Sequence, residues 1–173
     1  MILIFKTKNT NAFSSIDNPG SCSGMSANWA KASLTYGGVR YAGMLSTAAA
    51  NIAASAYMLM PAAGDSERVI EANNLVVGAH AQHGGPAPIT VATVVNGLVA
   101  LAGTYVWSLD FMGGGGHFMG WRNDAAAGKI EFFDPNYGLY SFDSVADVQA
   151  NLPGLIGVYG LISEFETWEV TSN

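Results

Sequence analysis

Ile130-Glu131-Phe132-Phe133-Asp134-Pro135-Asn136-Tyr137-Gly138 is an aromatic run closed by a carboxylate and followed at once by turn-forming residues. The spacing predicts a β-strand over 129–134, a turn, and a second strand over 138–142. Asp134 can be read in two ways. A turn-initiating aspartate accepts a hydrogen bond from its own backbone two residues on. A carboxylate shielded by Phe132 and its neighbours can instead hold a histidine in one tautomer through Nδ1.

A histidine lies within reach. Gly113-Gly114-Gly115-Gly116-His117-Phe118-Met119-Gly120-Trp121 places four glycines before an alternating strand, with His117, Met119 and Trp121 on one face. Its plain reading is a flexible hairpin carrying an ordinary histidine. Residues 123–128 supply a turn between this strand and the next. Neighbouring side chains on adjacent antiparallel strands lie only ~5 Å apart, so His117 and Asp134 can meet.

Working outward, further strands are expected at 104–112 and 164–171, with a short helix over 143–151. The segment 89–101 is rich in Val and Thr, and its length favours a helix. Toward the N-terminus the pattern turns helical, over 23–35, 44–60 and 65–82, with Gly37-Gly38, Pro61 and Gly84-Gly85-Pro86 as stops. Residues 2–6 read as an edge strand. The expected class is α+β, with N-terminal helices packed on a C-terminal antiparallel sheet in a single domain spanning 1–173.

The first helix begins at the chain's single cysteine, in Asn18-Pro19-Gly20-Ser21-Cys22-Ser23-Gly24-Met25-Ser26-Ala27-Asn28-Trp29. Free N–H groups and the macrodipole favour a thiolate in the first turn of a helix, and the same N–H groups can hold a developing oxyanion. Met25 and Trp29 share the Cys22 face and bury it. The alternative is a small buried hydrophobe that happens to start a helix.

Taken together, Gly20-x-Cys22-x-Gly-Met-Ser-x-x-Trp29, Gly-Gly-Gly-His117 and Phe-Phe-Asp134-Pro-Asn-x-Gly resemble the cysteine protease family typified by the bacterial effectors YopT and AvrPphB, over about residues 18–142. The resemblance implies a papain-like fold and a metal-free, cofactor-free triad in which Cys22 is nucleophile, His117 general base and Asp134 its orienting group. Family members place a side-chain amide shortly before the nucleophile. Here Asn18 is chosen to complete the oxyanion hole with the Cys22 N–H, because Asp17 would repel the charge. The substrate cleft is expected to run over Gly115 and Gly116 between apolar walls that include Trp107 and Trp121.

Composition narrows the partners. Seven basic and thirteen acidic residues give a net charge of −6 with no basic cluster, which argues against nucleic acid and anionic membranes. The Leu45–Met60 stretch is too interrupted to span a bilayer, so stable membrane insertion is not expected. The charged residues close behind the N-terminal apolar run do not match a cleaved secretion signal. The expected partner is a protein or peptide substrate. The resemblance adds delivery into a target cell by a specialised bacterial secretion system, self-processing, and a secretion chaperone or immunity protein as further partners. Two other functions use the same residues: a peptidoglycan amidase, and an inactive binding module that keeps the cleft. His80 and His83, three apart on an expected helix, could share a metal, but no well-spaced third ligand accompanies them, so a solvated helix end is the simpler reading. Asp110 is expected to face water.

Overall fold

The computed structural model describes residues 1–7, 22–41, 44–45, 66–124 and 126–173. Its elements are β1 (Ile2–Phe5), α1 (Cys22–Tyr36), α2 (Ser66–Glu71), β2 (Leu75–Ile89), α3 (Val91–Ala100), β3 (Gly103–Phe111), β4 (Gly116–Asp124), β5 (Lys129–Asp134), β6 (Gly138–Phe142), α4 (Val145–Ile156), a 3-10 turn (Gly157–Tyr159) and β7 (Ile162–Ser172). The strands form one sheet in the order β1-β6-β5-β4-β3-β7-β2, with every pairing antiparallel.

The α+β class holds, and the helices divide between the two faces of the sheet. Side chains alternate along a strand, so each strand feeds both faces. Trp107, Trp121 and Phe132 point to one face, where Val94, Val95 and Leu98 of α3 and Val148, Leu152 and Ile156 of α4 cover them. Val106, Phe133, Leu139 and Trp168 point to the other, under Trp29, Ala30 and Ala32 of α1. Strands buried on both sides read as continuous apolar runs, which is why β3 and β5 lack a clean polar alternation.

The position of α1 along β4 is set by three contacts in order. Trp29 lies on Gly120, where an added Cβ would come within 2.2 Å of the Trp29 ring. Farther along both elements, Arg122 Nη1 donates to the Ser33 carbonyl at 3.2 Å and to Ser33 Oγ at 3.0 Å. Seven residues back from Trp29, the helix has retreated about 10 Å and reached Cys22. Three residues back from Gly120, the strand has also retreated about 10 Å and reached His117. Helix and strand run in the same direction, and their first residues arrive at the same end of the sheet. Trp29 also stacks on Phe133 of β5, with ring centroids 5.7 Å apart and 6° between planes.

Several expectations hold at the level of elements. The strands at 104–112, 117–123, 129–134, 138–142 and 164–171 are present, β1 is an edge strand, and 89–101 contains a helix. The helix expected over 143–151 runs on to Ile156 through Pro153, because Leu152 and Ile156 are fully buried in the core. The helix expected over 65–82 is corrected. It ends at Glu71, Asn74 takes a left-handed φ of 58°, and the chain becomes the edge strand β2. Asparagine tolerates that conformation, and pairing with β7 then outweighs the weak helical pattern of the Gly- and Ala-rich residues beyond. The helix expected over 44–60 lies almost wholly outside the described residues.

Candidate active site

Cys22, His117 and Asp134 meet at the end of the sheet where α1 begins. Gly120 pairs with Phe133, so continuing the register sets Asp134 opposite Met119, with His117 two residues farther along the same face. His117 Nε2 donates to Asp134 Oδ1 at 3.0 Å. The expectation had the carboxylate on Nδ1, and the structure puts it on Nε2. Nδ1 is thus the ring nitrogen left for the sulfur, and His117 and Cys22 are hydrogen-bonded. All three side chains are withdrawn from water: Cys22 and His117 are each 5% exposed and Asp134 is 0% exposed.

Burial alone would lower the basicity of His117. The hydrogen bonds to Asp134 and Cys22 and the charges of both groups outweigh it, and the pKa is raised to about 9. The ring therefore carries its proton at neutral pH. A protonated imidazole between a thiol sulfur and a carboxylate is the arrangement that sustains a thiolate–imidazolium pair.

The two readings of Asp134 are compatible in geometry, with Nε2 rather than Nδ1 as the histidine nitrogen. Its Oδ1 accepts from the Asn136 backbone N–H at 2.8 Å, as a turn aspartate does, and also from His117. Its Oδ2 accepts from Tyr159 Oη at 2.7 Å, and its carbonyl accepts from Thr7 Oγ1 at 3.0 Å. Tyr159 was not foreseen. It stands 25 residues beyond Asp134, and only the packing of α4 brings it back to the site. Its ring stacks on His117, with centroids 4.7 Å apart.

The cleft is where expectation and structure part. Trp107 and Trp121 are 0% exposed and belong to the core under α3 and α4, so they cannot wall a cleft. Strand alternation turns them into a face that the helices cover. Gly115 is exposed with φ 80°, but part of the loop backbone is already used: Phe111 N–H donates to the Gly115 carbonyl and Gly114 N–H to the Phe111 carbonyl. Gly116 sits tight against the side chain of Asp110. Asn18 lies outside the described residues.

Asp110 is exposed, as expected, and belongs to a group. Its carboxylate, with those of Glu164 and Glu166, forms a set whose oxygens lie within 4.8 Å of one another. Burial, then the neighbouring Glu164 charge, pushes the Asp110 carboxyl up. His80 and His83 cannot share a metal: they lie on β2, a strand, where a three-residue spacing points them to opposite faces. His80 stacks on Trp168 and is bonded to Glu166 at 2.8 Å, while His83 stacks on Phe165. Among the described residues no helix is long and apolar enough to cross a membrane.

No protein-family model matches the chain, and no curated protein matches it in sequence. A solved structure does match in fold. The crystal structure of the Pseudomonas avirulence protein AvrPphB superposes with a TM-score of 0.67 at 18% identity, covering 87% of this chain and 91% of that one. The chain has the fold of AvrPphB, and the fold is papain-like.

Proposed function

We propose that the chain is a cysteine endopeptidase of the kind its motifs resemble, a bacterial effector or toxin acting on a protein in a target cell. The observation that carries the proposal is the hydrogen-bonded series Cys22–His117–Asp134 at the N-terminus of α1, with His117 protonated at neutral pH. In the reaction, the Cys22 thiolate attacks the peptide carbonyl carbon, and backbone N–H groups at the start of α1 hold the oxyanion. The C–N bond breaks as the His117 proton passes to the departing amine. His117, now neutral, takes a proton from water. The hydroxide adds to the thioester and the sulfur leaves as thiolate, restoring the pair.

The substrate is expected to cross beside the Gly113–Gly116 hairpin as an extended, neutral-to-basic segment. Support comes from the net charge of −6 and from Asp110, Glu164 and Glu166 at the sheet end that carries the hairpin. Apolar side chains of that segment would meet Phe111 and Met112, the latter 48% exposed, in place of the buried tryptophans. Delivery by a specialised secretion system and self-processing follow from the motif resemblance. The test is a search for new protein N-termini in a eukaryotic lysate treated with the enzyme or with its Cys22→Ala variant. Cleavages confined to the parent enzyme support the proposal. If the parent cuts muropeptides and no protein, the amidase reading replaces it. If Cys22 fails to label with a thiol-directed probe, the chain is a binding module.

A further inference from the structure

The His117–Asp134 pair is held by a third side chain from outside the strands. Tyr159 sits on the 3-10 turn that follows α4 and makes separate contacts with both members of the pair. Its ring lies over the His117 imidazole, 4.7 Å between centroids and 27° between planes. Its hydroxyl donates to Asp134 Oδ2 at 2.7 Å. That hydroxyl accepts in turn from Asn136 Nδ2 at 3.1 Å, which fixes the direction in which it donates. Phe111, at the far end of β3, also stacks with the Tyr159 ring, with 5.9 Å between centroids and 8° between planes.

We propose that Tyr159 is the positioning residue of the site, locking the imidazole ring by stacking and the carboxylate by its hydroxyl. The inference rests on the cysteine peptidase reading above. The need for such a lock follows from where His117 stands. It is the second residue of β4, directly after four glycines, so no side chain from the hairpin residues before it is there to hold its ring. A ring that must present Nδ1 to sulfur and Nε2 to carboxylate loses both if it rotates. The face of Tyr159 blocks that rotation, keeps water from the Nε2–Oδ1 bond, and offers its π-cloud to the imidazolium. The hydroxyl has a separate task. Asp134 is fully buried, and without Tyr159 its Oδ2 would have no hydrogen-bond donor among the described residues, a condition that invites the carboxylate to turn or to admit water. Burial, then the charge of Asp134, holds the Tyr159 hydroxyl well above the ordinary tyrosine range, so it remains a donor at any working pH. The α4 helix serves as the strut: Leu152 and Ile156 are fully buried, and Tyr159 follows Ile156 by less than one turn.

The test uses iodoacetamide, because its reaction with Cys22 reads the thiolate–imidazolium pair without a substrate. Tyr159→Phe keeps the stack and removes the hydroxyl, and should slow alkylation at neutral pH about tenfold. Tyr159→Leu removes both contacts and should slow it further. The deficit should vanish in strong alkali, where any thiol is ionised. In an Asp134→Asn background, Tyr159→Phe should cost less than about twofold more, because the hydroxyl acts through Asp134. A merely structural role would shift melting while leaving this pH profile unmoved. The inference is overturned by a parent-like rate in Tyr159→Phe, or by an equal tenfold loss in the Asp134→Asn background. Tyr159→Phe is isosteric and carries the decision even if Tyr159→Leu fails to fold. A parent enzyme whose Cys22 alkylates no faster than a peptide thiol would instead defeat the peptidase reading itself.

Discussion

At one end of α1, Cys22 is hydrogen-bonded to His117; at the other, Ser33 accepts two hydrogen bonds from Arg122. Both contacts join the same helix to the same strand, and both cations are buried, His117 5% and Arg122 8% exposed. Their chemistry differs. The guanidinium is a permanent cation, and its remaining arm donates to Asp124 Oδ2 at 2.8 Å, so no proton can move there. The imidazolium gives up its proton near pH 9, within reach of a reacting group. One clamp holds the helix and the other holds a proton. The lesson is that burial with partners does not mark a site. A site also needs a group whose charge can change.

The largest expected effect separates the two ends. Cys22→Ala should lower turnover by about 10⁴-fold or more, with the melting temperature nearly unchanged. Arg122→Met should do the reverse. It removes the cation beside Asp124 and leaves the 6%-exposed Glu131 with Lys129 as its one neighbouring cation among the described residues, and should cost roughly 2–4 kcal/mol. Calorimetry and peptide hydrolysis on both variants would expose a failure of the contrast, which would be an Arg122→Met enzyme that is stable but inactive.

Next in size is the pH response of the mobile proton. The His117 pKa is raised from 6.5 to about 9, so its contribution to stability is complete below 6.5 and is lost as pH rises through about 9. Turnover should fall over the same alkaline window as the imidazolium disappears. In Asp134→Asn the partner that most strongly holds the proton is weakened. Its alkaline limb should move to lower pH, and kcat should drop on the order of a hundredfold. An unmoved limb in that variant would show that Asp134 does not set the charge on His117.

Gly120→Ala addresses the middle of the same interface. A methyl group within 2.2 Å of the Trp29 ring must push α1 away from β4, at about 1–3 kcal/mol. Because the helix levers on that point, Cys22 should also retreat from His117 and its alkylation should slow. Thermal melting with labelling on one sample would decide it: lost stability with parent-like labelling would mean that the Trp29–Gly120 contact does not place the sulfur.

The smallest effect is at the hairpin. Gly113 has open space around it and no positive φ, unlike Gly114 and Gly115, so Gly113→Val adds bulk without backbone strain. A substrate crossing beside the hairpin should show a several-fold rise in KM with kcat kept. Unchanged steady-state kinetics would move the cleft elsewhere.

Much of this was legible along the chain. Aromatic and β-branched residues bounded by turn residues located β3 to β7, because that composition remains where burial on both faces removes the polar alternation. Cys22, His117 and Asp134 stood out because each begins or ends an element, and element ends are where a side chain can leave the core. The failures share a cause as well. No local pattern tells which face of a sheet the helices will cover, and Trp107 and Trp121 lie on the covered face rather than along a cleft. The apolar residues of 75–82 fit a helical period as well as a two-residue one, and only β7 alongside makes them a strand.

By itself, then, the sequence located β3 to β7 and singled out Cys22, His117 and Asp134, since those readings depend on residue type and near-neighbour spacing. Only the tertiary structure decided which ring nitrogen of His117 meets Asp134, that Arg122 anchors the far end of α1, and that Tyr159 closes over the pair. Each of those is a contact between segments distant in the chain. Its geometry follows from how α1 and α4 seat on opposite faces of the sheet, and no periodicity along the chain encodes that seating.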